Sequence, residues 1–302
     1  MSAGDAPRLV GVGGIFIDDI VLPSGQTYMA QLGGGVIHAL MGMVVWGERP
    51  GLVAPMGEGF PPESAERLQR SLDMRGVYHL PIPQIRAWQL FEEDGSRREM
   101  YRVRETAPFI QGPQPTDLPE CYQQSDGYYL IQDFEGIERW CSTLKGFVLW
   151  EPLQQIMTRE NREKMRQTLA ACTPDLVSPN LMEAQAVYGV DDPDRLIDAL
   201  FEDGVPKVAL RMGEAGSLLA DRETGYRVHV PPVPVETIVD QTGAGNTYCG
   251  ALLWGVMNGY DLRHAGAAGA VAASFCLEGV GVVDPTRVLP AERDRRLRAL
   301  LG

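Results

Sequence analysis

The sequence predicts an α/β domain with a mainly parallel central sheet and helices on both of its faces. Three observations lead there. Short apolar runs of strand length alternate with helical runs through the middle of the chain. No linker, internal repeat or low-complexity tract divides the 302 residues, so one domain is expected over 1–302. A Gly-Ala-Gly turn, Gly243 to Gly245, follows a β-like run bracketed by prolines and precedes an apolar helical run. That order places unpaired N–H groups and the positive end of a helix dipole where an anion such as phosphate can approach.

The elements follow in order. Residues 9–14 form a short apolar run ending in glycines, suited to a buried first strand. The segment Gly11-Val12-Gly13-Gly14-Ile15-Phe16 fails the dinucleotide fingerprint, because Phe16 stands at its third glycine. After Gly33-Gly34-Gly35, the residues Val36, Ala39, Leu40, Met43 and Val44 mark one face of a helix that stops at Gly47. Residues 52–55 read as a strand. Residues 61–75 read as an amphipathic helix with Ala65, Leu68 and Leu72 buried and Gly76 as its stop. Asp94-Gly95 between two strand-like runs, 88–91 and 98–102, signals a β-hairpin. Strands are expected at 128–131, 147–150, 176–178 and 207–210. Helices are expected at 137–144, 158–171, 181–188 and 193–201, with a buried helix over 249–257 and a small-residue helix and turn over 264–281.

Composition narrows the function. Acidic residues outnumber basic ones 40 to 27, a formal charge of −13, which argues against a nucleic-acid partner. Five scattered cysteines without a Cys-x-x-Cys pair point to reduced thiols and away from a zinc site. Residues 1–8 carry no apolar run suited to a signal peptide, and no apolar run reaches membrane-spanning length. The expectation is a cytoplasmic protein that binds neither membrane nor nucleic acid.

The stretch Asp240-Gln241-Thr242-Gly243-Ala244-Gly245-Asn246 resembles the C-terminal signature of the ribokinase-type (PfkB) carbohydrate kinases, usually Asp-Thr-Thr-Gly-Ala-Gly-Asp. Further blocks resemble the family in the same order. Residues 13–18 are similar to its Gly-Ser-Ile-Asn-Val-Asp opening, with the sugar-binding Asp at Asp18. Gly33 and Gly34 begin its Gly-Gly-x-x-x-Asn-x-Ala signature, with the Asn position at His38. Asn180 and Glu183 match its Asn-x-x-Glu motif. Gly213 and Gly216 match its Thr-x-Gly-x-x-Gly loop, with Arg211 at the Thr position.

The resemblance implies a ribokinase-like α/β/α domain with a small β lid, inserted at about 15–32 and 86–112, over the substrate. Lid sheets of this kind often pair between subunits, which implies a homodimer. It implies ATP and Mg²⁺ as cofactors and a small polyol, sugar or nucleoside as acceptor. Gly243, Ala244 and Gly245 would form the anion hole, with Thr242, Asn180, Arg211, Gly213 and Gly216 at the nucleotide and Glu183 reaching the metal through water. Asp18, Gly33, Gly34 and His38 would hold the substrate. Asn246 occupies the position of the general base, and an amide cannot take a proton at neutral pH. An Asp restored there is expected to be ionised at the helix N-terminus and to return the base. Asn180 with Glu183 three residues on also fits a helix capping box, and both readings hold together.

Overall fold

The computed structural model describes residues 6–92 and 97–302. The first half of the chain runs β1 (Leu9–Val12), β2 (Phe16–Val21), β3 (Thr27–Gly33), α1 (Gly35–Val45), β4 (Gly51–Glu58), α2 (Pro62–Ser71), β5 (Asp73–Pro83), β6 (Arg86–Phe91), β7 (Arg97–Tyr101), α3 (Ala107–Gln111) and β8 (Gly127–Gln132). The second half runs α4 (Phe134–Cys141), β9 (Phe147–Pro152), α5 (Arg162–Ala171), β10 (Leu176–Val177), α6 (Leu181–Tyr188), α7 (Pro193–Glu202), β11 (Lys207–Arg211), β12 (Ser217–Asp221), β13 (Arg227–Val230), α8 (Ala244–Met257), α9 (Leu262–Leu277) and α10 (Pro290–Leu301).

Nine strands make the main sheet in the order β13-β12-β11-β10-β9-β8-β1-β4-β5. All neighbours are parallel except at the β11-β12-β13 edge, where a tight return makes them antiparallel. Each face of the sheet carries its own hydrophobic core. One packs α1, α8 and α9 through Leu40, Leu252 and Ala272; the other packs α4 to α7 through Trp140, Leu169 and Leu196. The result is the three-layer arrangement expected from the β–α alternation. The chain leaves β1 toward β4 and β5 on one side and later returns to β8 on the other. β1 and β8 therefore flank the point where strand order reverses, and open α/β sheets place their binding crevice at the carboxyl ends of the strands there.

Helix α2 ends four residues sooner than its pattern suggests. Leu72 leaves the helix in an extended conformation, and the Asp73 N–H donates to the Pro50 carbonyl, starting β5 beside β4. Sheet pairing outweighs local periodicity there. The β-like run before the glycine turn gives only β13, because prolines follow at once.

Strands β3-β2-β6-β7 form a separate four-stranded sheet. β6 and β7 pair antiparallel with Phe91 opposite Arg97, as a hairpin requires; the Asp94-Gly95 turn itself lies outside the described residues. Asp19 fastens this smaller sheet, which holds the segments expected to form the lid. Its carboxylate is fully buried and takes two hydrogen bonds from Arg86, one from Arg102 and one from the Ala30 N–H. Ala30 sits at φ 56, beside a register shift between β2 and β3. Burial alone would raise the Asp19 pKa, but these donors hold it below the ordinary carboxylate value. Stability from this group is therefore present above its unfolded pKa and is lost as pH falls through the lower folded value. Asp19→Ala should cost about 1–3 kcal/mol and release the lid. Hydrogen exchange would read faster opening in 16–33 and 86–101 with the main sheet unchanged.

Candidate active site

The crevice is floored by backbone. Gly33, Gly34 and Gly35 run into α1, and Gly243 to Gly245 run into α8. Gly243 adopts φ 73, which turns the chain into the helix. The first intrahelical bond of α8 runs from the Thr247 N–H to the Gly243 carbonyl, so the Gly245 and Asn246 N–H groups precede the ladder. Three missing side chains set the spacing. A Cβ on Gly33 would lie 1.8 Å from Asp18 Oδ2, one on Gly35 would lie 3.1 Å from Asn246 Nδ2, and one on Gly245 would lie 2.1 Å from Arg211 Nη1. The Asp18 carboxylate and the Asn246 amide thus flank one three-residue strip, whose end Cα atoms lie at most about 7 Å apart. That is the span of a small molecule.

Around Asn246 lies a buried polar cluster assembled from β8, β9, β11, the residue after β10, and helices α6 and α8. Asn246 Nδ2 donates to Tyr129 Oη at 3.2 Å and to Glu151 Oε1 at 3.0 Å. Tyr129 donates its hydroxyl proton to Glu151 Oε2 at 2.6 Å. Arg211 Nη1 pairs with Glu151 Oε1 at 2.8 Å, Nη2 donates to the Ser178 carbonyl at 2.9 Å, and Glu183 lies 3.9 Å away. Cys249 Sγ completes the cluster against Ser178 Oγ at 3.3 Å. Burial pushes the Tyr129 hydroxyl well above its ordinary pKa, with the Glu151 charge adding to this. Burial works against the Arg211 charge, but Glu151 and its other neighbours outweigh it and hold the guanidinium protonated. Burial likewise raises Glu183, with Arg211 opposing.

The remaining predicted residues fall around this centre. Asn180 and Glu183 form a capping box, each side chain accepting the other's backbone N–H at 2.8 Å. Asn180 also bridges to Arg211, carrying the β10–β11 pairing up to the cluster. Gly213 and Gly216 shape the β11–β12 turn just beyond Arg211, where the Met212 N–H donates to the Gly216 carbonyl. Thr242 is bonded back to Asp240 Oδ1 through its hydroxyl at 2.6 Å and its N–H at 2.9 Å, while Asp240 Oδ2 accepts the Gly281 N–H. Thr242 therefore shapes the turn. His38 is only 2% exposed; its ring packs beneath Gly243 and lies 3.9 Å from Cys276, so it underpins the turn instead of opening onto the crevice. Asp18 Oδ1 accepts from Gln89, which also donates to Glu99. No group of three or more His, Cys, Asp or Glu suited to a metal is present among the described residues.

Sequence reasoning placed Tyr129 and Glu151 in or beside strands and gave them no role. The available signal was a carboxylate between Trp150 and Pro152, at the carboxyl end of an apolar strand, where α/β sheets gather their ligands.

Strand order, lid and glycine-built helix N-terminus together are those of the ribokinase-like class. Residues 154–288 match the model of the pfkB family carbohydrate kinases. A cytidine kinase of Thermococcus kodakarensis is 27% identical over 280 residues, covering 90% of this chain and 97% of that protein. Two solved structures overlay nearly the whole chain. The nucleoside kinase of Burkholderia thailandensis in complex with inosine has a TM-score of 0.78 at 17% identity, over 97% of this chain and 98% of that one. A protein from E. coli, provisionally assigned as ribokinase II, in complex with ATP and Mg²⁺ has a TM-score of 0.77 at 18% identity, over 97% and 99%. The fold is ribokinase-like, and residues 154–288 are similar to the pfkB family carbohydrate kinases.

The Arg211–Glu151 pair is testable apart from any activity. Arg211→Met removes the cation and leaves a buried carboxylate facing Tyr129 and Asn246. Urea unfolding should show a loss of about 3–5 kcal/mol, against under about 1 kcal/mol for removal of an exposed pair such as Arg70–Glu66.

Proposed function

We propose that this protein transfers a phosphoryl group from ATP to a hydroxyl of a small polyhydroxylated acceptor, and does so slowly. The acceptor class is a sugar, nucleoside or cyclitol. A nucleoside is favoured by the cytidine kinase relative, which aligns along nearly its whole length. The observation that carries the reading is the glycine strip between Asp18 and Asn246, with the α8 N-terminus at one end.

The residues present fit the cofactors. A Cβ at Gly245 would collide with Arg211 Nη1, so glycine lets the guanidinium reach the helix N-terminus, where both can meet a phosphate. Arg211 supplies a fixed positive charge beside it. Mg²⁺ keeps several waters and takes phosphate oxygens, so Glu183 and Asn180 suffice as outer partners without a protein cage. When bound, ATP-Mg²⁺ supplies the transferable group and neutralises its charge. This chain's part is to orient: Asp18 accepts hydrogen bonds from acceptor hydroxyls, and the first-turn N–H groups of α8 stabilise negative charge. Lid edges β3 and β7, with exposed Met29 and Met100, are the surfaces for a homodimer. The five free cysteines fit a reducing, cytoplasmic setting.

A second reading is a catalytically inactive, ligand-binding relative. It is favoured by the amide at 246, whose Nδ2 is fully engaged with Tyr129 and Glu151. A panel of polyols and nucleosides, assayed for ADP release and for phosphorylated product, separates the two. The expected result is product at a rate at least about a hundredfold below the 1–100 s⁻¹ ordinary for kinases. Binding of ATP and acceptor without product would favour the second reading. Gly245→Val should lower calorimetric ATP affinity about tenfold or more, since its side chain meets Arg211 and closes the cradle. Unchanged affinity in the folded variant would remove the nucleotide from this turn.

A further inference from the structure

The proposed function leaves open why an amide stands at the base position, and the buried cluster supplies a reason. Glu151 Oε1 lies 3.0 Å from Asn246 Nδ2. A carboxylate at 246 would face it at the same distance, and two carboxylates that close do not both ionise. The hydrogen bonds also fix which way the amide faces. Tyr129 spends its only proton on Glu151, so its oxygen offers Asn246 a lone pair. Glu151 offers only lone pairs. Both inner partners accept, so Nδ2 points inward, and Oδ1 takes no hydrogen bond from any described residue.

We propose that Glu151 and the side chain at position 246 hold a single negative charge between them, and that in this chain Glu151 carries it. Glu151 is then a positioning residue: it turns the Asn246 amide so that Oδ1 faces the crevice and accepts a hydrogen bond from the acceptor hydroxyl. This deepens the kinase reading and rests on it for the word acceptor; the shared charge itself does not. The fixed cation nearby is Arg211, held by Glu151 on β9, by the Ser178 carbonyl and by Glu183 on α6. Because Arg211 pairs directly with Glu151, a proton added to the 151/246 pair goes to position 246. An Asp restored there alone is consequently protonated near neutral pH and is no base. The amide and the carboxylate have to exchange places before a base returns.

Four proteins test this: wild type, Asn246→Asp, Glu151→Gln and the double variant. The groups facing position 246 are Tyr129 on β8, Glu151 on β9, Arg211 on β11, Glu183 on α6 and Cys249 on α8, with His38 on α1 beneath the neighbouring Gly243. All but Glu151 are common to the four, and because Glu151 also acts on Glu183, the Glu151→Gln single variant is the reference for the double. In Asn246→Asp the added carboxyl has a folded pKa above its unfolded value near 3.9. The folded state then binds more protons, and stability relative to wild type falls as pH rises from about 4 through the folded pKa. Chemical unfolding between about pH 4 and 8 should show this slope in the single variant and not in the double. The unfolding constant of the double should return to within about threefold of wild type, although each single change raises it about tenfold or more at neutral pH.

Where an acceptor is found, the double variant should turn over about tenfold faster or more than Asn246→Asp at neutral pH, and the single variant should gain rate as pH rises. Stability coupling with no product from any variant supports the shared charge and removes the kinase reading. An Asn246→Asp variant as stable as wild type, with no pH slope, overturns the proposal even if it turns over well. Additivity of the two changes within about twofold in the unfolding constant overturns it as well. If Glu151→Gln does not fold alone, the pH slope of Asn246→Asp decides.

Discussion

The site depends on how closely α8 approaches α1. A Cβ on Gly250 of α8 would lie 1.8 Å from the Ala39 carbonyl oxygen of α1, and one on Gly42 of α1 would lie 2.2 Å from the Thr247 carbonyl oxygen of α8. The two helices touch backbone to backbone. Helices held apart by side chains settle at about 8–10 Å between axes and would tolerate some sliding. Here small residues remove that freedom. Tyr248 packs against Gly269 of α9 and donates its hydroxyl to Ser217 of β12, tying the same helix to the sheet edge. Because α1 starts at Gly35 and α8 at Ala244, locking the helices together also locks their N-termini and the glycine strips before them. The crevice is therefore a consequence of helix packing, and its dimensions are not set by flexible loops.

On that rigid floor the charge distribution is what separates this chain from the family pattern it otherwise follows. An Arg stands where the pattern has Thr, an Asn where it has Asp, and a His where it has Asn. The structure connects the first two. Arg211 reaches Gly245 and needs a counter-charge in a site nearly closed to water; Glu151 supplies it and also occupies the inner side of Asn246. A buried cation with two nearby carboxylates, Glu151 and Glu183, leaves no room for a third without protonation. The His is a separate matter. It fills space beneath Gly243 beside Cys276, whose thiol burial pushes up to about 12 and which donates to the Thr242 carbonyl.

Much of this was legible in the sequence, and the failures have physical causes. Strand and helix alternation located the sheet because parallel strands are apolar throughout and helices are not. The turn at Gly243 was legible because a left-handed residue before a helix asks for glycine. The Asn180–Glu183 pair was read as a capping box from spacing alone, and both bonds are formed. Tyr129 and Glu151 were not legible as site residues. They lie 22 residues apart and come within 2.6 Å only because β8 and β9 are parallel neighbours in register. Arg211 and Asn246 join them through strand order, which no local pattern encodes. The lid anchor Asp19 was masked by its neighbour. Two adjacent carboxylates on a strand point to opposite faces, so Asp18 looks toward Gly33 while Asp19 turns to Arg86 and Arg102.

The same geometry decides which other group can take a proton from a hydroxyl held at Asn246. A base must come within about 2.6–3.2 Å of it. Asp18 lies at the Gly33 end of the glycine strip, with Asn246 at its Gly35 end, so on the proposed reading it faces the other side of the same molecule. Tyr129 is behind the amide and its own pKa lies far too high for it to act as an anion. Glu183 is committed to its helix cap, and His38 is sealed under the turn. Glu151 is near, but Asn246 stands between it and the crevice, and an amide does not relay a proton. What survives is positioning and charge: a fixed floor, a helix N-terminus and Arg211 beside it. Phosphoryl transfer draws most of its acceleration from these. On the proposed reading, the absence of a base would cost roughly two to four orders of magnitude. On the proposed reading, a site with this construction would keep its ligands in order while lacking the group that takes the proton.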